Sequence, residues 1–262
     1  MTTPRLSVQL YTVRESLATD PGGTLDRLAG LGFGTVEAFG FVGRAAQLRS
    51  HLDAAGLSAL SGHARFLEGD DRPAVEEVLD DAEALGVQLL IDPMVGPAYW
   101  SDTESIALIA DRLNQAAEAA EGRGIRIGYH NHSMEFHHSF DGVSAYETFV
   151  SLLREDVVLE LDAYWATVGK QDVPALVERL GDRLRAMHVK DGNTDVDPFI
   201  VTDVDHTAIV QVPAGQGSVS LTAALDAASA LEFAVVEYDQ YAGDIFEGIA
   251  GTVAFLAERG IR

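Results

Sequence analysis

Ile125-Arg126-Ile127-Gly128-Tyr129-His130-Asn131-His132-Ser133-Met134-Glu135-Phe136 is the stretch that decides how this chain folds. A short apolar run ends in a polar cluster, and an amphipathic run follows from about Gly142. Side chains alternate across a strand, so His130 and His132 would share a face at its end, beyond the buried part. Two imidazoles with a carboxylate three residues on suit divalent-metal binding or proton transfer. The ordinary alternative is a polar loop that happens to carry histidines, and the rest of the chain has to choose between them.

Outward from this stretch, the same unit recurs in both directions. Leu6–Tyr11, Thr35–Phe39, Leu57–Gly62 and Gln88–Asp92 read as strands. They alternate with helical patterns at Thr24–Leu31, Ala45–Ala55, Pro73–Leu85 and Thr103–Glu121. After the strand Ile125–His130 come a helix near Val143–Leu153, a strand Val157–Asp162, a helix Val173–Leu180 and a strand Leu184–Val189. A long irregular segment, Asp191 to Gly217, leads to a helix near Leu221–Ala230, a strand Phe233–Glu237 and a helix Ile245–Arg259. Glycine closes several of the helices, as a left-handed cap requires. Strands alternating with helices imply parallel pairing. Eight such units over 262 residues match a (β/α)₈ TIM barrel, typically about 250 residues. A doubly wound sheet fits less well: no G-x-G-x-x-G follows the first strand, and the cluster Gly30, Gly32, Gly34 precedes the second. No linker or composition shift divides the chain, so residues 1–262 are read as a single barrel domain.

A net charge of −23 opposes a nucleic-acid partner, because a phosphate backbone needs Lys and Arg; it opposes an anionic membrane surface as well. The excess acid reads as a solubilising shell. Cysteine is absent, which removes disulfides, thiolate metal sites and a Cys nucleophile. The N-terminus runs straight into a strand pattern, with neither a signal peptide nor a run long enough to span a membrane, so the expected location is cytoplasmic. The only lysines are Lys170 and Lys190.

Barrel active sites form where strands end in their C-terminal loops, and four consecutive strands here end in metal-competent groups. The fifth brings His130 and His132, the sixth Asp162, the seventh His188 and Lys190, the eighth Glu237. Each has a dull explanation: Asp162 could cap a helix, Glu237 could pair with an Arg, His188 could be a bonded core histidine. Four coincidences at equivalent positions favour one shared site. A His/carboxylate set without Cys suits Mn²⁺, Mg²⁺, Co²⁺ or Zn²⁺.

These residues and their neighbours resemble the xylose isomerase-like barrel superfamily, in its sugar phosphate isomerase/epimerase branch. The resemblance spans the chain and is carried by Gln9-Leu10-Tyr11-Thr12-Val13-Arg14, Thr35-Val36-Glu37, Tyr129-His130-Asn131-His132 with Glu135-Phe136, Leu161-Asp162-Ala163-Tyr164-Trp165, His188-Val189-Lys190-Asp191-Gly192 and Val236-Glu237. It implies one divalent metal, Mn²⁺ first, with Asp162, His188 and Glu237 as ligands and His130 standing where many relatives have Glu. That departure puts a two-glutamate proton transfer in doubt and makes His132 a second candidate ligand or base. Where epimerases often have a His three residues after the strand-six Asp, this chain has Trp165, read as an apolar wall for a sugar face. The resemblance also implies a small-molecule sugar substrate and a homodimer as candidate assembly.

The expected chemistry is proton abstraction beside a carbonyl in a sugar, keto-sugar or polyol, through an enediolate. Glu237 and either His130 or His132 would exchange the proton, and Lys190 would donate to an oxygen of the substrate. The alternative is a lyase or dehydratase on an oxidised sugar or inosose, in which the same enolate expels water or an aglycone. A binding-only barrel would leave the four-strand ligand set without purpose, and a nuclease fails on charge. Gln9, Tyr11, Glu37, His63 and Glu135 are candidate substrate-binding groups, Glu37 alternatively pairing with Arg14. Lys190 could instead pair with Asp191 or Glu160, and Glu160 is read as orienting a ligand. Tyr99 and Trp100 are expected to close over the site. His137 and His138 are placed in a loop beyond it. Asp195, Asp197, Asp203, Asp205 and His206 could mimic a second metal site but are read as part of a solvated lid. No cluster of cations suggests a phosphorylated substrate.

Overall fold

The computed structural model describes residues 3–69, 71–200 and 208–262. Eight strands form one parallel, nearly closed barrel: β1 (Arg5–Val8), β2 (Thr35–Phe39), β3 (Ser58–His63), β4 (Leu89–Asp92), β5 (Arg126–His130), β6 (Val158–Asp162), β7 (Leu184–Val189) and β8 (Phe233–Val236). Their lateral order is β1-β8-β7-β6-β5-β4-β3-β2, and a parallel bridge between Gln9 and Glu37 draws the two edge strands together. Register with β4 and β6 is tight around β5. A Cβ on Gly128 would meet Ile91 Cδ1 at 2.5 Å and the Val158 carbonyl oxygen at 2.9 Å, so only glycine lets β5 approach its neighbours there.

Outside the barrel lie α1 (Arg14–Thr19), α2 (Pro21–Gly30), α3 (Ala45–Ala54), α4 (Val75–Leu85), α5 (Thr103–Ala119), α6 (Ala145–Leu152), α7 (Ala163–Val168), α8 (Val173–Leu180), α9 (Leu221–Ala227) and α10 (Ile245–Ala257). The sequence starts and stops them locally. Asp20, Asp102 and Asp172 each accept a backbone N–H of the first turn of α2, α5 and α8, satisfying donors that a helix end leaves free. Gly86 ends α4 at φ 90°, a left-handed cap. Two helices escaped the periodicity reading. α1 grows out of a 3₁₀ turn at Leu10–Val13 where a longer first strand was expected, and α7 is buried on nearly all sides, so it shows no polar face.

The barrel interior is divided along its axis. Leu89, Ile91, Val158, Ala186, Phe233 and Val235 form a separate buried cluster. Alternation places Glu160 and Asp162 on the same face as Val158, and His188 on the same face as Ala186. The apolar plug therefore sits below, and a polar layer lies above it at the strands' C-terminal ends. Among the described residues, no helix is long and apolar enough to cross a membrane.

Candidate active site

The polar layer contains two storeys. In the lower one, His63 Nε2 lies 2.6 Å from Glu160 Oε2 and 3.1 Å from Glu37 Oε1. Glu37 also accepts from Gln9 Nε2 at 2.8 Å. Each of the two carboxylates then meets a further histidine: Glu37 Oε1 is 2.7 Å from His188 Nε2, and Glu160 Oε2 is 3.1 Å from His130 Nδ1. The far nitrogens of those histidines point into the upper storey. His188 Nδ1 is 2.7 Å from Glu237 Oε2 and 3.9 Å from Asp162 Oδ2, and His130 Nε2 is also 3.9 Å from Asp162 Oδ2. Carboxylates behind ligand histidines fix the tautomer and the ring plane.

Asp162, His188 and Glu237 bring ligand atoms within 4.8 Å of one another, as do His63, His130, Glu160 and His188. The donor set of the upper group, nitrogen plus carboxylate oxygen, fits a divalent ion. The lower group is better explained as its support, because both glutamates there already engage the rear nitrogens of His130 and His188. Among the described residues, Glu37 Oε2 and Glu160 Oε1 are buried without a hydrogen-bond partner. Asp162 divides its carboxylate: Oδ1 accepts from the Trp165 N–H at 2.8 Å, capping α7, while Oδ2 faces the site. The helix-cap and ligand readings of this residue are thus compatible.

Lys190, only 1% exposed, places Nζ 2.9 Å from Asp162 Oδ2, 2.7 Å from Glu237 Oε2 and 2.8 Å from Asp239 Oδ2. It pairs with neither Asp191 nor Glu160. Asp191 instead accepts the backbone N–H groups of Gly192, Gly215, Gly217 and Val219. Asp239 went unrecognised in sequence, although it stands two residues beyond Glu237, on the spacing that keeps side chains to one side. Gln211, also missed, holds it: Gln211 Nε2 donates to Asp239 Oδ2, and Gln211 Oε1 accepts the Asp239 N–H.

These contacts set the charges. Burial alone would raise Glu237, but Lys190 and His188 outweigh it and hold the carboxyl well below its usual range. Burial also opposes the charge on Lys190, yet Asp162, Asp239 and Glu237 keep it raised. His63 goes up to about 10 against the cost of burial, because Glu37 and Glu160 flank it; His188 is raised for the same kind of reason by Glu160 and Glu237. Burial, with the charge on His188, pushes His130 well down, and burial takes His132 down to about 4. Asp162 rises to about 6 through burial, with Lys190 pulling the other way.

The remaining expected residues divide. Gln9, Tyr11, His63, His130, His132 and Glu237 line a cavity of about 520 Å³. Glu37 does not pair with Arg14, whose guanidinium lies 4.1 Å over the Tyr11 ring and donates to the Tyr11 and Asp239 carbonyls. Glu135 faces away from the cavity: it accepts from the Tyr129 hydroxyl and the His132 N–H, and burial raises it to about 8. Trp165 backs the site, its ring 5.8 Å from that of His132 and 5.6 Å from that of Phe199. Trp100 does not close over the mouth; it is buried against Tyr129 and Phe149 on the outer face of β5, its Nε1 donating to the Val95 carbonyl. The Asp191–Gly217 segment is anchored where it is described. Residues 191–192 pair antiparallel with 211–212, and Asp197 accepts from Ser133 Oγ and lies 2.8 Å from His137 Nε2. Asp203, Asp205 and His206 lie outside the described residues.

Comparison with known proteins agrees with this architecture. Residues 25–258 match the family described as xylose isomerase-like TIM barrel. A stretch of 104 residues is 29% identical to an inosose dehydratase of Serratia proteamaculans, covering 37% of this chain and 33% of that protein, so the chain matches about a third of the length of that curated relative. The fold is similar to a sugar phosphate isomerase/epimerase from Parabacteroides distasonis, with a TM-score of 0.77 at 23% identity over 98% of this chain and 94% of the other. It is also similar to the IOLI protein, described with a binding zinc atom, with a TM-score of 0.67 at 18% identity over 97% and 95%. With the matched segment running from α2 to the end of α10 and the ligand-type residues gathered at the strands' C-terminal mouth, the chain belongs to the xylose isomerase-like TIM barrel family.

Proposed function

We propose that this protein is a divalent-metal-dependent isomerase or epimerase of a sugar, keto-sugar or polyol, working by proton abstraction beside a carbonyl. The observation that carries the reading is the convergence of Asp162, His188 and Glu237, with His130 Nε2 beside them, above a layer of carboxylates that grip the rear of both histidines. Mn²⁺ is the first candidate ion; Mg²⁺, Co²⁺ and Zn²⁺ suit the same donors. A bound ion would supply Lewis-acid stabilisation of charge on substrate oxygens.

The chain's own residues do the rest. Glu237, ionised, and His132, kept neutral by burial, both line the cavity and exchange the proton at the carbon beside the carbonyl. His130 Nε2 lies beside Asp162 Oδ2 and is assigned to the ion, which leaves His132 as the strand-five base. Lys190, held by Asp162, Glu237 and Asp239 and steadied through Gln211, would turn one N–H from a carboxylate to the oxygen that gains negative charge.

A dehydratase is the second reading, favoured by the segment similar to inosose dehydratase. Manganese-loaded protein incubated in deuterium oxide with a panel of keto-sugars and inososes separates the two. Exchange of a substrate hydrogen for deuterium without elimination supports the isomerase, and loss of water supports the dehydratase. Absence of both across the panel, in protein that holds its metal, would defeat the proposal.

A further inference from the structure

The cavity that holds the polar groups has a second, chemically different half. His63, His130, His132, Glu237 and Asp239 are the cavity's ionisable lining at the strand ends already described. Phe39 at the end of β2, Val42 in the loop after it, Pro73 from the loop after β3, and Pro93 and Met94 after β4 line it as well, an apolar set carried by three adjacent strands of the barrel. Phe39 is 37% exposed, a large aromatic left open at a pocket otherwise suited to hydroxyls. Tyr11 meets it edge-on with ring centroids 5.0 Å apart, and Arg14 lies over Tyr11 from behind. The cavity of about 520 Å³ falls in the range that houses drug-sized molecules, ~300–1000 Å³.

From this division we infer that the substrate is a keto-sugar bearing an apolar aglycone, an aryl glycoside oxidised at one ring carbon in its simplest form, with the aglycone against the Phe39–Met94 wall. The inference rests on the reading that the polar half handles the sugar. A free polyol presents hydroxyls on every side, and those turned to this wall would lose water and gain no partner. An apolar ring placed there removes its own surface and that of five side chains from water. One aromatic is enough to stack a sugar face; apolar groups from three successive loops make a compartment. A phosphate is not the occupant the charge favours, since Arg65, the cation on this rim, is already paired with Glu68 at 2.9 Å.

Matched phenyl and methyl glycosides of glucose, galactose, mannose and xylose, titrated calorimetrically into manganese-loaded protein, test the inference. In at least one pair the phenyl glycoside should bind tenfold or more tightly than the methyl glycoside. Phe39→Ser and, separately, Met94→Ser should draw that ratio toward one. Equal affinities in every pair, no binding in any pair, or a preference untouched by both substitutions would overturn it. If manganese still binds and deuterium exchange on free keto-sugars persists, only the aglycone compartment fails; if manganese does not bind, the metal reading fails beneath it.

Discussion

Lys190 Nζ lies 2.7 Å from Glu237 Oε2, both side chains being buried. The same ammonium reaches Asp162 and Asp239, so three carboxylates share one buried cation. Removing it strands their charges, which costs about 3–5 kcal/mol for a broken buried pair. Lys190→Met should lower the stability of metal-free protein by that order in urea unfolding. Added Mn²⁺ should raise its midpoint more than it raises that of wild type, because the ion replaces the missing positive charge. Equal metal-induced shifts in the two proteins would show that Lys190 and the metal do not share ligands.

His63 holds the lower storey together between Glu37 and Glu160. Its pKa rises from 6.5 to about 10 in the folded protein. A raised histidine contributes stability that is fully present below pH 6.5 and is lost as pH climbs toward 10. His63→Asn should therefore be less stable than wild type by about 3–5 kcal/mol near pH 6, with the gap closing between pH 6.5 and 10. Urea titrations across that range check it; a gap independent of pH would deny the charged role.

His132 and His130 sit two residues apart yet carry different duties in this account. His132→Asn should reduce kcat by roughly 10²–10⁴-fold, the usual contribution of a general base, and leave manganese affinity within a few-fold of wild type. His130→Asn should weaken the metal itself. Calorimetry paired with a turnover assay distinguishes them, and a loss of metal binding in His132→Asn would reverse the assignment.

Much of this was legible in the sequence because barrel strands are short and glycine-punctuated. Val173–Leu180 and Leu184–Val189 fall on the bounds expected of them, and Asp162, His188 and Glu237 converge as their strand ends require. What stayed hidden depends on register between strands. Nothing local says that Glu37 on β2 reaches His188 on β7, or that Glu160 on β6 reaches His63 on β3; barrel closure makes those neighbours. Glu37, expected to bind hydroxyls, is fully buried behind His188, whereas His63 both lines the cavity and bridges Glu37 and Glu160. Trp100 misled for the opposite reason: an aromatic after a strand end looks like a lid, yet its indole fills the gap between Tyr129 and Phe149. Asp239 carried a usable signal, the two-residue step beyond Glu237, whereas its partner Gln211 carried none.

Manganese titration of chelator-stripped protein asks whether Asp162, His188 and Glu237 hold an ion. Wild type should take up one equivalent. Glu37→Gln, which disturbs a carboxylate behind His188, should weaken binding by about 10–100-fold, and Glu237→Gln should weaken it further. A wild type that binds no manganese, or a Glu237→Gln variant that binds it as tightly as wild type, would contradict the account.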